Sequence, residues 1–200
     1  MPIFHLDHRL ADFDKWLGVF RDGSLRKERE AEFGVATRRV VRDANDPNHV
    51  IVIMEAPSRD AIDNMANHPQ VQERFADTSI FTEPPKVIAG YEGTDIGTMS
   101  EGDVSAFFLD QQLVDYDKWS EMRSGNEAER NEVMQKHGVN PVRLLHDIDN
   151  RNHVVVVMHA PNRAAMENML AEPTAQANFA NKEVFARTPE ITGQFSGVDV

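Results

Sequence analysis

The 200-residue chain contains no cysteine. This absence excludes disulfide bonds, thiolate metal sites and cysteine nucleophiles. Long hydrophobic runs are also missing, because no apolar stretch approaches the roughly 20 residues of a membrane-spanning helix. The opening residues, MPIFHLDHRLADFDKW, lack the basic segment and the apolar run of a secretory signal. We therefore expect a cytoplasmic protein that has no membrane partner.

Positive charge is scarce, since 21 lysine and arginine residues stand against 33 aspartate and glutamate residues, for a formal net charge of −12. Binding to a nucleic acid would require a basic surface, so no nucleic-acid partner is expected. The chain also lacks a glycine-rich phosphate loop, a G-x-S-x-G elbow and an H-E-x-x-H motif. The sequence therefore predicts no cofactor.

What the chain does contain is a nearly complete internal repeat. The segment NHVIVIMEAP at residues 48–57 recurs as NHVVVVMHAP at residues 152–161, with His159 in the place of Glu55. Matching positions are 103 residues apart near the start and 104 residues apart after the first predicted helix, so one residue has been inserted. A period this long indicates a domain duplicated in tandem rather than a solenoid.

The repeat divides the chain into two predicted domains. The first covers residues 1–93 and the second covers residues 104–200. Between them, residues 94–103 (TDIGTMSEGD) are polar and contain glycine and serine, which is typical of a linker. A chain of this length is sufficient for two small domains.

Each half is predicted to follow the order βαββαβ. Residues that favour the N-terminus of a helix stand where each helix should begin, at Asp12, Ser58, Asp115 and Asn162. Gly34 and Gly138 predict left-handed ends for the first helix of each half, so one helix is expected from each aspartate to its glycine. The order of elements is that of the ferredoxin-like unit, an α+β fold.

The runs VIVIM and VVVVM, in the matching strands of the two halves, are apolar on both faces. A half-exposed antiparallel strand would instead alternate between apolar and polar residues. The helices of a ferredoxin-like unit cover only one face of its sheet. The sequence therefore predicts two tandem βαββαβ units that pack sheet to sheet as an intrachain, pseudo-dimeric α/β barrel.

The pattern D-F/Y-D-K-W, followed by Gly34 or Gly138 and then by R-V-V-R-D-A-N-D-P-N-x-V, resembles the dimeric α/β-barrel superfamily. It is most similar to the antibiotic-biosynthesis-monooxygenase-like and "cyclase-like" members. Typical members are single ferredoxin-like units that dimerise, so the resemblance implies a tandem-duplicated, fused dimer. The superfamily includes cofactor-free monooxygenases, polyketide cyclases, muconolactone-type isomerases, haem enzymes and proteins of no known activity.

The resemblance implies a small-molecule ligand and leaves two functions open. One is a cofactor-independent monooxygenase, cyclase or isomerase that acts on an aromatic or polyketide-like substrate. The other is a non-catalytic, ligand-binding or stress-related barrel. A cavity lined by His5 or His159 would favour the enzyme, and a fully packed interior would favour the non-catalytic protein. A homo-oligomer of such pseudo-dimers is a further expectation.

Glu55 and His159 are candidate catalytic residues because they occupy equivalent places at the ends of matching strands. A carboxylate in one half and an imidazole in the other could divide acid and base roles between two related pockets. The alternative is that both side chains reach solvent or pair with a neighbour such as Arg59 or Arg163.

His5 is the third catalytic candidate, since Phe108 occupies the matching position and the two pockets would then differ in polarity. The alternative is a buried histidine that is hydrogen-bonded to a backbone carbonyl. Arg39 and Arg143 recur in both halves and are candidates for binding an anionic ligand. Solvated or ion-paired arginines are the alternative there.

His146 and His153 should face each other across a hairpin if its turn is centred between Asp149 and Asn150. Two imidazoles in that arrangement suit a metal ion, but no third ligand is obvious nearby. A solvated hairpin tip is the alternative, and we predict no stoichiometric transition metal.

Overall fold

The computed structural model describes residues 1–98 and 104–198, so residues 99–103 of the predicted linker lie outside the described residues. The chain divides into two units. The first unit contains Met1–Glu92 and Phe195–Val200, and the second contains Gly93–Gln194. This division assigns the end of the chain to the first unit, whereas the repeat alone places it in the second domain. The linker and domain boundaries read from the repeat stay a prediction.

The first repeat forms a four-stranded antiparallel sheet in which the strands lie in the order fourth, first, third, second. This is the strand order of a ferredoxin-like unit, as predicted. The last strand residues of the chain, Phe195–Val198, pair with the outer edge of the second strand within the first unit. The elements are β1 (Ile3–Leu10), α1 (Phe13–Asp22), α2 (Ser24–Phe33), β2 (Ala36–Asp43), β3 (His49–Glu55), α3 (Arg59–Ala66), α4 (Pro69–Phe75) and β4 (Phe81–Asp95).

The second repeat follows the same plan, and its own four strands also lie in the order fourth, first, third, second. The α+β fold class read from the repeat is thus confirmed in both halves. The elements are β5 (Ser105–Gln112), α5 (Tyr116–Gly125), α6 (Glu127–Lys136), β6 (Asn140–Asp147), β7 (His153–Ala160), α7 (Arg163–Leu170), α8 (Pro173–Phe179) and β8 (Glu190–Val198).

All four predicted N-terminal capping residues accept a hydrogen bond from the first turn of their helix. Asp12 accepts from the amide of Lys15 at 3.0 Å, and Ser58 accepts from the amide of Ala61 at 3.2 Å. Asp115 and Asn162 do the same in the second unit. These bonds satisfy amide groups that the helix itself leaves without a partner.

The expectation of one uninterrupted helix between Asp12 and Gly34 is wrong. The chain forms α1 and α2, which meet at Gly23, a residue with low helix propensity. Gly34 does end the second of these helices in the left-handed region, with φ of 66°, and Gly138 has the same φ. In the other helical segment, Pro69 begins α4, because proline suits the first position of a helix and cannot continue one from before.

The helices of the first unit pack on one face of its sheet. Alternate residues of β1 and β3 form this core with α1 and α3, namely Phe4, Leu6, Leu10, Val50, Val52, Met54, Trp16, Ile62 and Met65. The second unit repeats the core with matching residues. Ile51 and Val155 lie on the opposite faces of these strands and are buried as well, since they are only 3% and 4% exposed. Both faces of the VIVIM and VVVVM strands are therefore covered, as predicted. None of the helices in the described ranges is long and apolar enough to span a membrane.

The predicted facing of His146 and His153 is wrong by one residue. His146 pairs with Val154, and the turn is centred on Asn150. A shift of one residue in register moves a side chain to the opposite face of the sheet, so the two imidazoles do not form a pair. Asp147 takes the predicted place of His146 and accepts a hydrogen bond from His153 Nδ1 at 2.7 Å.

Candidate functional site

A cavity of about 600 Å³ lies in the first unit, between the sheet and helices α1 to α4. Its volume is typical of a small-molecule site. Most of its lining residues are apolar, and they come mainly from β1, β3 and the four helices. The lining includes Leu6, Val52, Met54, Met65, Phe75 and Phe81.

His8 contributes a buried imidazole to this cavity. His8 is 5% exposed, and the centroid of its ring lies 5.9 Å from the ring centroids of both Trp16 and Phe81. The Nδ1–H donates a hydrogen bond of 3.1 Å to the carbonyl of Leu6. Because a carbonyl can only accept, the proton of the neutral ring belongs on Nδ1, which leaves a lone pair on Nε2.

Burial lowers the pKa of His8 to about 4, because desolvation disfavours the imidazolium form. The hydrogen bond to Leu6 and the charge of Asp7 oppose this shift without cancelling it. The ring is therefore neutral at pH 7, and its Nε2 has no hydrogen-bond partner among the described residues. His8 can accept a hydrogen bond or a proton from a molecule in the cavity.

Trp16 lies over the same cavity and is 2% exposed. Its position follows from the capping of α1 by Asp12, which orients the first turn of the helix over the sheet. The indole stacks on Phe20 with ring centroids 4.7 Å apart. The indole N–H makes no hydrogen bond within the described ranges, whereas a buried indole usually finds an acceptor.

Charged side chains line the outer part of the cavity and largely pair with one another. Arg26 donates to Glu30 at 3.1 Å, and Arg29 lies 3.0 Å from the Nε2 of His68. Arg74 lines the cavity from the last turn of α4 and is exposed. The site is thus apolar at its base and carries charges of both signs toward solvent, since Asp14 and Asp22 also line it.

The matching cavity of the second unit is only about 110 Å³ in volume. Gln111 takes the place of His8, and the indole N–H of Trp119 donates a hydrogen bond of 2.9 Å to its side-chain oxygen. Met122 also lines this smaller cavity, and the guanidinium of Arg123 lies 5.6 Å above the Trp119 ring. The open cavity is therefore a property of the first unit.

The three catalytic candidates read from the sequence lie elsewhere. His5, Glu55 and His159 alternate with residues of the helix-side core and so lie on the opposite faces of their sheets. None of them lines either cavity described above. His5 is 4% exposed, burial lowers its pKa to about 4, and its ring lies 4.9 Å from that of Tyr91. A catalytic role for the three residues stays a prediction.

Glu55 forms an ion pair with Arg38 and lies 3.9 Å from the N-terminal amine. The predicted neighbour Arg59 lies 3.4 Å from Asp63 instead. Position 142, which matches Arg38 in the second repeat, is valine. The replacement of a carboxylate by an imidazole therefore accompanies the loss of the arginine that would hold the carboxylate.

Arg39 and Arg143 each lie against a glycine of a neighbouring strand. A Cβ atom on Gly197 would come within 3.3 Å of the Arg39 guanidinium, and one on Gly93 would collide with that of Arg143. Arg143 also lies 3.5 Å from Asp95. This packing gives a reason for the recurrence of both arginine and glycine in the two repeats. Anion binding by the two arginines stays a prediction.

The structure also brings together two carboxylate–imidazole–carboxylate clusters that sequence reasoning missed. His49 lies 2.8 Å from Asp7 and 3.4 Å from Asp43. The second cluster repeats this arrangement around His153, which lies 3.0 Å from Asp110 and 2.7 Å from Asp147. All three residues recur at matching positions, and that recurrence was the available signal. Within residues 1–98 and 104–198, no group of three or more such side chains could hold a metal ion.

The comparisons with known proteins identify the family. A family profile described as "Domain of unknown function (DUF4412)" matches residues 19–175. The chain belongs to this family. The matched range begins within α1, after Trp16, and includes the rest of the first repeat and most of the second, so the DUF4412 match extends across the duplication. No curated protein is detectably similar to this DUF4412 chain in sequence.

Solved structures show the fold of the DUF4412 chain. A candidate monooxygenase from Fusobacterium nucleatum subsp. nucleatum ATCC 25586 is 11% identical to this chain and has a TM-score of 0.53. The structural match covers 99% of this chain and 93% of that protein. A candidate monooxygenase from Lactobacillus acidophilus NCFM is 16% identical with a TM-score of 0.51, covering 99% of both chains. An anthrone oxidase-like protein is 11% identical with a TM-score of 0.55, covering 99% of this chain and 92% of its own. The chain thus has the dimeric α+β-barrel fold, which confirms the resemblance seen in the sequence.

Proposed function

We propose that the chain is a small-molecule enzyme whose active site is the cavity of the first unit. The substrate is aromatic or polyketide-like, and the reaction is that of a cofactor-independent monooxygenase. The observation that carries this proposal is a neutral, buried imidazole in an otherwise apolar cavity of about 600 Å³. The names of the monooxygenase and anthrone oxidase-like structures of the same fold add support.

His8 would act as the proton acceptor. A low pKa makes it a weak base toward water, but an anion formed beside it in an apolar cavity would stabilise the imidazolium. A substrate with an acidic methylene next to an aromatic ring loses a proton to Nε2 and becomes electron-rich. Such a carbanion can react with dioxygen, so that the methylene becomes a carbonyl and the second oxygen atom leaves as water. The two hydrogens of the water come from the methylene, and no further reductant is needed.

The test is oxygen consumption with anthrone, in the absence of any added cofactor. We expect one dioxygen to be consumed for each anthraquinone formed. His8→Phe should lower kcat by at least 100-fold, because general base catalysis contributes about 10²–10⁴-fold. Thermal denaturation of the variant checks that the fold is retained.

His5→Phe provides the competing arm, since phenylalanine already occupies the matching position of the second repeat. Loss of turnover in His5→Phe and not in His8→Phe would move the chemistry to the opposite face of the sheet. Glu55→Gln and His159→Gln test the other two sequence candidates in the same way. Binding of anthrone without oxygen consumption would contradict the enzyme and favour the non-catalytic ligand-binding barrel.

A further inference from the structure

The two repeats differ in the hydrogen bonding at one pair of matching positions. In the second unit, the indole N–H of Trp119 donates to the side-chain oxygen of Gln111 at 2.9 Å. Gln111 is 4% exposed and Trp119 is 3% exposed, so this bond satisfies two buried polar groups directly. The remaining cavity around it is small. The strand and helix that carry these residues therefore bring the two positions within hydrogen-bonding reach.

In the first unit, the same two positions carry Trp16 and His8. Neither the indole N–H of Trp16 nor the Nε2 of His8 has a hydrogen-bond partner among the described residues. Both residues are more than nine-tenths buried, and both line the open cavity. A donor and an acceptor thus face the same apolar space. Both nitrogens are open to the cavity, so a ligand that displaces water from it must satisfy both, because leaving either one without a partner is costly.

We infer that the ligand of the first unit places a hydroxyl group between Trp16 and His8. The hydroxyl oxygen accepts the indole N–H of Trp16, and the hydroxyl proton is donated to the Nε2 of His8. A phenol or an enol fits, because the rest of the lining is apolar and aromatic. A carbonyl satisfies only the indole, and an ammonium satisfies only the imidazole.

This inference rests on the proposed function only for the location of the site. It concerns binding selectivity, which is measured without turnover. An inactive protein that prefers a hydroxyl-bearing ligand would therefore contradict the enzyme and leave this inference standing. Turnover of anthrone by a protein that shows no preference for a hydroxyl group would overturn this inference and leave the proposed enzyme standing.

The test compares the Kd of 1-naphthol with that of 1-methylnaphthalene, in which a methyl group replaces the hydroxyl. Wild-type protein should bind 1-naphthol at least 10-fold more tightly, because a site that hydrogen-bonds a hydroxyl disfavours the analogue that lacks it. The preference should fall below about 3-fold in Trp16→Phe and in His8→Phe. The ratio of the two Kd values removes the effect of any general loosening of the cavity.

Trp119→Phe is the matched control, since it removes the equivalent indole N–H from the second unit. The 10-fold preference should persist in this variant. Should Trp16→Phe fail to fold, 1-methoxynaphthalene tests the wild type directly: it can accept from Trp16 but cannot donate to His8, and we expect an intermediate Kd. Equal binding of all three compounds to wild type would overturn the inference. Retention of the full preference in both Trp16→Phe and His8→Phe would also overturn it.

Discussion

Glu55 forms an ion pair with Arg38, and the second repeat replaces both residues together, by His159 and Val142. The most conspicuous difference between the two repeated strands is thus coupled to a second difference on the neighbouring strand. His159 is buried, whereas Glu55 is half-buried. The environment, and not only the residue type, has diverged.

His159→Glu should therefore destabilise the protein, although the repeat alone suggests that a carboxylate is tolerated at this place. A buried carboxylate without an arginine partner should cost about 2–4 kcal/mol in free energy of unfolding. Val142, the counterpart of Arg38, is only 3% exposed, so adding Val142→Arg should not restore the loss, because it replaces a packed valine with a second buried charge. Urea denaturation of the single and double variants measures both effects. Equal stability of wild type and His159→Glu would show that the swap is neutral.

The His153 cluster should make stability depend on pH. Hydrogen bonds to Asp110, and then to Asp147, raise the pKa of His153 above its ordinary value despite partial desolvation. A raised pKa means that the folded state favours the charged ring. The stabilisation is fully present below the unfolded pKa of about 6.5, and it is lost as the pH rises through the folded pKa.

The comparison is the Tm of wild type and His153→Gln from pH 5 to pH 9. We expect the wild type to have its largest advantage at the acidic end, and the two curves to converge at the alkaline end. An advantage that grows with pH would contradict the assigned direction. His49→Gln is the matched variant in the first unit.

Gly93→Ala should destabilise the protein because its Cβ would overlap the Arg143 guanidinium. The arginine is flexible at that end, so the expected loss is modest, about 0.5–1.5 kcal/mol. In the background of Arg143→Ala, the same substitution should cost less, since the obstructing group is gone. A double-mutant cycle by chemical denaturation measures this coupling. Independent, additive effects would show that the glycine is retained for another reason.

The repeat predicted the strand order, the four helix caps and the two left-handed glycines, because these depend on local residue types and on alternation along the strands. It did not predict the helix break, which depends on the backbone conformation of one residue, Gly23. It also did not predict the register of the β6–β7 hairpin, which differs from the expected register by one residue. Tertiary contacts decide such details.

The cavity itself was also missed, although one signal was present. Phe4, Leu6 and Leu10 form an apolar alternation along β1, and His8 interrupts it on the same face. His5 is the more conspicuous residue in the sequence, because its counterpart Phe108 differs so clearly in polarity. Which face of the strand borders a cavity depends on the bulk of residues from four helices, and the two repeats differ there in ways that the strand pattern does not contain.

We propose that the first unit holds the ligand site and that His8 is its polar centre. A crystal structure of the full chain with 1-naphthol would locate the ligand. We expect one naphthol per chain, in the first-unit cavity, with its oxygen within hydrogen-bonding distance of the His8 Nε2 and the Trp16 indole nitrogen. Naphthol bound instead beside His5, or in the second-unit cavity beside Gln111, would contradict it.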